Sequence, residues 1–183
     1  MIWVIIGVIL ILLVLFVVST YNGLVVARNK VRDQFSQIDI QLKRRFDLIP
    51  NLVETVKGYT KHESETLEKV IKARNGYMEA KSEADKLEAS KAVSRGIANI
   101  FALAESYPDL KSNTNFLDLQ EQLKGVEDKI GYARQFYNDS VLMYNNKIEM
   151  FPSNIVASLF HFEKFEFFEV DNEDERKNVK VKF

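Results

Sequence analysis

An apolar run from Ile2 to Val18 opens the chain, and no charged side chain occurs before Arg28. At about 1.5 Å per residue this run is about 26 Å long, and Ser19 to Asn22 extend it to the roughly 30 Å of a bilayer's hydrocarbon layer. Each Leu, Ile, Val or Phe favours insertion by about 0.3–0.6 kcal/mol, and no charge opposes the sum. The sequence therefore predicts a transmembrane anchor over residues 1–20, with the lipid bilayer as its partner through residues 2–20. A cleaved secretory signal fits less well. Met1, Ile2 and Trp3 supply no basic leader, and Val17 to Tyr21 offers a poor small-x-small site.

Arg28, Lys30 and Arg32 outnumber Asp33 just after the run, so the positive-inside rule places the N-terminus outside and the C-terminal domain in the cytoplasm. About 160 residues remain after the anchor, enough for one domain with a substantial core. A net charge of −1, 28% charged residues and a pI near 6.2 give no electrostatic case for nucleic acid. Acidic and basic residues alternate instead, as on solvated helix faces. The absence of cysteine removes disulfides, thiolate nucleophiles and Cys-based metal sites.

Only 7 Gly and 3 Pro punctuate the chain, and between them apolar residues recur at helical spacing. Leu24, Val31, Phe35, Ile38, Leu42, Phe46 and Ile49 step mostly by three and four along one stripe. Asp47 followed by Pro50 reads as a new helix start, with a Pro-kinked single helix as the alternative. Leu52, Val53, Val56, Tyr59, Leu67, Val70, Ile71, Tyr77 and Met78 carry the second stripe. A polar connection is expected near Ser82 to Asp85, then a third stripe over Val93, Ile97, Ile100, Phe101 and Ala104, stopped by Tyr107-Pro108-Asp109. Asn115 is the expected cap of the last helix, which carries Phe116, Leu119, Leu123, Val126, Ile130, Ala133, Tyr137, Tyr144, Ile148 and Phe151. The expected fold is all-α: an N-terminal transmembrane helix, then an antiparallel up-and-down four-helix bundle over 21–151, with helices at about 21–46, 48–80, 86–106 and 115–150. A Phe-rich segment, 152–168, closes the bundle or touches the membrane interface, and a charged tail, 169–183, follows.

Several stretches carry a resemblance. Tyr21-Asn22-Gly23-Leu24-Val25 with Arg28-Asn29, Gln37 to Arg45, Asp47-Leu48-Ile49-Pro50-Asn51-Leu52-Val53, Val56-Lys57-Gly58-Tyr59 and His62-Glu63 fill the N-terminal half. Ala104, Tyr107-Pro108-Asp109-Leu110-Lys111, Ala133-Arg134, Tyr137-Asn138, Tyr144-Asn145 and Phe151-Pro152-Ser153-Asn154 continue it. Together they resemble the LemA family of bacterial membrane proteins, over nearly the whole chain to about Phe168. The resemblance implies a single-pass anchor and a helical bundle at the bacterial cell membrane. It implies no catalytic residue, cofactor or metal.

Chemistry is sparse in the residues themselves. His62 and His161 lack the Glu-x-x-His spacing of a di-iron bundle, and Lys61-His62-Glu63 reads as a polar helix face. No Gly-rich phosphate loop, GxSxG or HExxH occurs, and Glu63 and Glu65 sit in charged helical surface. No catalytic, cofactor-binding or metal-binding residue is therefore assigned. Lys43-Arg44-Arg45 lies roughly 38 Å beyond the span, too far for lipid headgroups, and reads as a charged helix end or a site for a protein or soluble anion. Asn22 and Asn29 are seven apart, as are Asn138 and Asn145. An antiparallel bundle would gather the four amides into a polar layer that fixes register, in which case Asn138→Leu would raise the melting temperature and loosen uniqueness. The expected function is a non-enzymatic, membrane-anchored interaction or scaffold protein with an unidentified protein partner. The alternative is a sensor or enzyme-like module that binds a small ligand through buried Asn, Tyr or Arg134.

Overall fold

The computed structural model describes residues 1–60, 63–80 and 83–168. Among them the chain is all-α: α1 (Ile2–Lys57), α2 (Ser64–Glu79), α3 (Glu83–Ala104), α4 (Pro108–Lys111), α5 (Thr114–Glu149) and α6 (Ser153–Leu159). His62 and the expected charged tail lie outside the described residues. The chain divides into two compact units, residues 1–37 with 132–183, and residues 38–131.

The first unit begins with the apolar run, which is helical, and none of its large side chains is buried. It is a candidate membrane span by length and composition. Trp3 and Tyr21 bracket about 27 Å of helix, the placement of aromatic anchors at two bilayer interfaces. Beyond Tyr21 the same helix turns from exposed to packed, burying Leu24 and Val31. Ala133, Tyr137, Val141 and Tyr144 of α5 and Val156 and Ala157 of α6 complete this core. The Phe35 and Tyr137 rings lie 6.0 Å apart, and Lys147 Nζ approaches Gly23, so α1 and α5 run antiparallel here.

In the second unit the expected helix break at Asp47–Pro50 is absent. α1 continues through Pro50 to Lys57, so the expected second helix is divided: its first residues extend α1 and the rest form α2. Proline has no N–H to give the carbonyl four residues back, which leaves the Phe46 carbonyl without its helical donor. Arg74 of α2 supplies the missing donor, its Nε–H reaching Phe46 O at 3.0 Å. The helix ends instead at Gly58, a poor helix former, where Tyr59 and Thr60 N–H both turn back to Val56 O and the Thr60 hydroxyl joins them at 3.1 Å. Replacing Arg74 with Leu should cost about 1–2 kcal/mol by orphaning the Phe46 carbonyl. The same replacement beside Pro50→Ala should cost measurably less, because the restored amide serves that carbonyl. Urea melts of the four chains give the coupling energy, and strict additivity would contradict it.

α2 packs antiparallel on α1, with Phe46 and Tyr77 rings 4.0 Å apart. α3 approaches α2 closely at Gly96, where a Cβ would stand 2.6 Å from Val70 Cγ2. The buried face takes Ile38, Leu42, Phe46, Ile49, Leu52, Val53 and Val56 from α1, Val93, Ile97 and Ile100 from α3, and Phe116, Leu119, Leu123 and Ile130 from α5. Pro108 opens α4 at a first-turn position, where its missing N–H costs nothing. α5 is capped two residues earlier than expected: the Asn113 side chain, not Asn115, accepts the Phe116 N–H at 3.0 Å. Phe151, expected on the buried stripe of the last helix, stands exposed beyond its end.

Candidate functional site

Two polar clusters lie inside the second unit, and both tie its helices together. Of Lys43-Arg44-Arg45, the first two side chains face solvent and Arg45 is fully buried. Its guanidinium donates to Ser94 Oγ at 2.8 Å, Glu127 Oε2 at 2.7 Å, Ser90 O at 3.1 Å and Ser90 Oγ at 2.6 Å, linking α1 to α3 and α5. The reading of this triplet as a plain charged helix end is thus corrected at Arg45. Position 45 falls three residues after Leu42 and four before Ile49, on the apolar stripe itself.

Asp39 forms the second cluster, accepting from Tyr77 Oη at 2.5 Å and from Lys86 Nζ at 3.1 Å. Partial burial works to raise the Asp39 carboxyl, but the bonds from Tyr77 and Lys86 and the charges of Lys86 and Lys43 outweigh it and hold it below the ordinary carboxylate range. Tyr77 is pushed upward, first by burial and then by Asp39. A depressed carboxyl contributes stability above its unfolded pKa of about 4 and loses it as pH falls through the folded value. A raised tyrosine contributes below about 10 and loses it above. The stability that this pair contributes should therefore be constant between about pH 5 and pH 9 and fall on the acid side, and Asp39→Asn should make the protein's acid-side loss of stability shallower. Melting temperatures from pH 2.5 to 7 check this; an unchanged acid-side slope would contradict it.

The first unit holds a different arrangement, in which polar side chains grip an extended chain. After α6, residues 162–168 run without helix along the groove between α1 and α5. Asn145 takes both backbone groups of Phe165: its Nδ2 donates to Phe165 O at 2.9 Å and its Oδ1 accepts Phe165 N–H at 3.1 Å. Asn138 does the same for Phe168, at 3.0 and 2.8 Å. The preceding tyrosines add one bond each, Tyr144 Oη to Glu163 O at 2.9 Å and Tyr137 Oη to Glu166 O at 3.1 Å. Burial raises the Tyr144 hydroxyl, with Arg28 and Arg32 pulling the other way, so it remains a neutral donor.

The repeat is dimensional. Seven residues of α5 rise about 10.5 Å, and three residues of extended or polyproline-type chain advance about 9–10 Å. A Tyr-Asn pair every seven residues therefore meets the segment every three, and the segment runs antiparallel to α5. Phenylalanines recur at the same interval. Phe162 lies 5.7 Å from the Tyr21 ring, Phe165 lies 5.2 Å from Tyr144, and Phe168 lies 5.0 Å from Tyr137 and 6.2 Å from Phe35. Arg28 and Arg134 cover the two ends, their Cζ atoms 5.1 Å and 5.8 Å from the Phe162 and Phe168 ring centres. Each backbone amide held here would otherwise face an apolar groove unpaired, at a cost of about 1–3 kcal/mol.

The expected four-amide layer does not form. Asn22 and Asn29 face solvent, and Asn138 and Asn145 are spent on the segment's backbone. Asn138→Leu is accordingly expected to destabilise the chain. Of the two histidines, His161 is exposed and joins α6 to the segment with a left-handed φ of 54°. Glu65 pairs with Lys69 on the surface of α2 at 2.7 Å. Among the described residues no group of three His, Asp or Glu side chains is placed to hold a metal ion. Surface hollows are open, one of them in the second unit lined by Asn51, Glu54, Thr55, Asn115, Asp118 and Gln122.

These features define an all-α protein that opens on a candidate membrane span and binds an extended segment of its own chain. The chain belongs to the LemA family, whose model matches residues 34–183. It is 28% identical over 170 residues to Protein LemA of Metamycoplasma hominis, covering 86% of this chain and 74% of that one. It also resembles magnetosome protein MamQ 2 of Paramagnetospirillum magneticum, at 29% identity over 73 residues, covering 40% of this chain and 27% of that protein. Magnetosome protein MamQ of Magnetospirillum gryphiswaldense is 28% identical over 72 residues, or 39% and 26% of the two chains.

Proposed function

We propose that this chain is a non-enzymatic, membrane-anchored interaction protein of the bacterial cell membrane whose α1–α5 groove binds extended, aromatic peptide segments. The observation that carries the reading is the Tyr-Asn repeat. Bidentate amides at Asn138 and Asn145 recognise any peptide backbone in the right register, and the aromatic contacts favour Phe at every third position. Backbone bonds supply affinity and side-chain contacts supply selectivity, as in other modes of extended-peptide recognition. The side chains on which a small-ligand site would draw, Tyr137, Asn138, Tyr144, Asn145 and Arg134, are engaged with the segment. The anchored helix holds the groove's partner beside the bilayer, and Arg28, Lys30 and Arg32 orient the body toward the cytoplasm.

A fluorescent peptide with the sequence of residues 160–168 tests this against the full chain in nanodiscs. Phe165→Glu, which weakens the resident segment, should increase peptide binding. Adding Asn138→Ala and Asn145→Ala should reduce it at least tenfold. A Phe165→Glu chain with wild-type circular dichroism and no peptide binding would refute the groove. For orientation, protease added outside intact cells should spare the body, and its digestion would reverse the topology.

A further inference from the structure

We infer that α6, with the residues flanking it, lies in the interface of the same bilayer that α1 crosses. No charged side chain occurs between Glu149 and His161. Met150, Phe151, Ile155, Leu159 and Phe160 of this stretch are exposed, Phe151 by 78%. α6 is two-faced: Val156 and Ala157 are buried against the body, and Ile155 and Leu159, one turn apart, point outward.

Position selects the occupant. The Phe160 ring stands 4.8 Å from that of Tyr21. Tyr21 follows Val18, the last residue of the apolar run, by about 4.5 Å of helix rise. The exposed apolar face thus begins within one helical turn of where α1 leaves the hydrocarbon layer. A short apolar face at this depth, without acidic residues, suits the boundary between headgroups and acyl chains. Lys147, exposed and reaching toward Gly23, lies at the same level, where it meets anionic headgroups. The face is therefore continuous with the lipid contact of α1 and commits to lipid.

The inference rests on α1 crossing the bilayer, so its test carries a separate marker for that. The chain has no cysteine, and single cysteines can take an environment-sensitive dye in the full chain reconstituted in nanodiscs. Leu10→Cys reports the span, Tyr132→Cys an exposed site about 22 Å along α5 from Lys147, and Ile155→Cys and Leu159→Cys the α6 face. Nitroxides at shallow lipid depth should quench the dyes at 155 and 159 at least threefold more than the dye at 132, and deep nitroxides should quench the dye at 10. Quenching at 10 with 155 and 159 matching 132 overturns the α6 inference alone. Dyes at 155 and 159 that are shielded from water yet untouched by lipid nitroxides would assign the face to a protein and overturn it equally. A water-exposed dye at 10 would overturn the anchor itself.

Discussion

Arg45→Ala is expected to destabilise the chain by about 2–5 kcal/mol, the range for truncating a large, fully buried side chain to alanine. Arg45 is buried in full, and its four bonds end on three residues of two other helices. Truncation leaves Ser90 and its carbonyl facing a void, and it removes the stem that packs beside Phe46, whose ring centre lies 5.5 Å from the guanidinium. Glu127 is half exposed and recovers water, which keeps its own loss small. Arg45→Met should therefore cost clearly less than Arg45→Ala, because it refills the volume. Arg44→Lys, at the neighbouring position that faces solvent, should stay within about 0.5 kcal/mol of the wild type. Urea-induced unfolding of Arg45→Ala, Arg45→Met and Arg44→Lys measures all three, and equal losses at 44 and 45 would contradict the buried network.

The second large effect belongs to Asn138→Ala with Asn145→Ala. Four hydrogen bonds to the segment's backbone are lost together, at about 0.5–1.5 kcal/mol each, for a total of about 2–6 kcal/mol if the segment stays in place. The segment is then held by its aromatic contacts and the two tyrosine bonds alone, and it leaves the groove more readily. Trypsin should then cut after Lys164 rapidly in the double variant and slowly in the wild type. Equal cleavage rates would show that the asparagines do not hold the segment.

Most of the fold was legible because packing repeats. The stripes over Leu24, Val31, Ile38, Leu42, Phe46 and Ile49 and over Phe116, Leu119, Leu123, Ile130 and Tyr137 are buried at the positions their spacing indicates. What the spacing could not reveal were long-range partners. Pro50 reads locally as a helix start, and only Arg74, arriving from another helix, keeps α1 continuous through it. Arg45 reads as one of three adjacent cations until its place on the apolar stripe is weighed against its charge. The seven-residue interval between Asn138 and Asn145 was visible, but two amides seven apart on one helix suggest another helix as their partner. Their actual partner is an extended segment whose own three-residue Phe interval, at 162, 165 and 168, was present in the sequence and matches the same distance. Phe151 falls in register with the last stripe yet lies past Glu149, where α5 has ended, and periodicity alone does not mark that end.

The hold of paired Tyr and Asn side chains on a non-helical segment is tested most directly by residue-resolved amide hydrogen exchange of the full chain in nanodiscs. The Phe165 and Phe168 amides should exchange well below their intrinsic rates, because Asn145 and Asn138 accept them although no helix or sheet does. Exchange of both amides at intrinsic rates in the wild-type chain would contradict it.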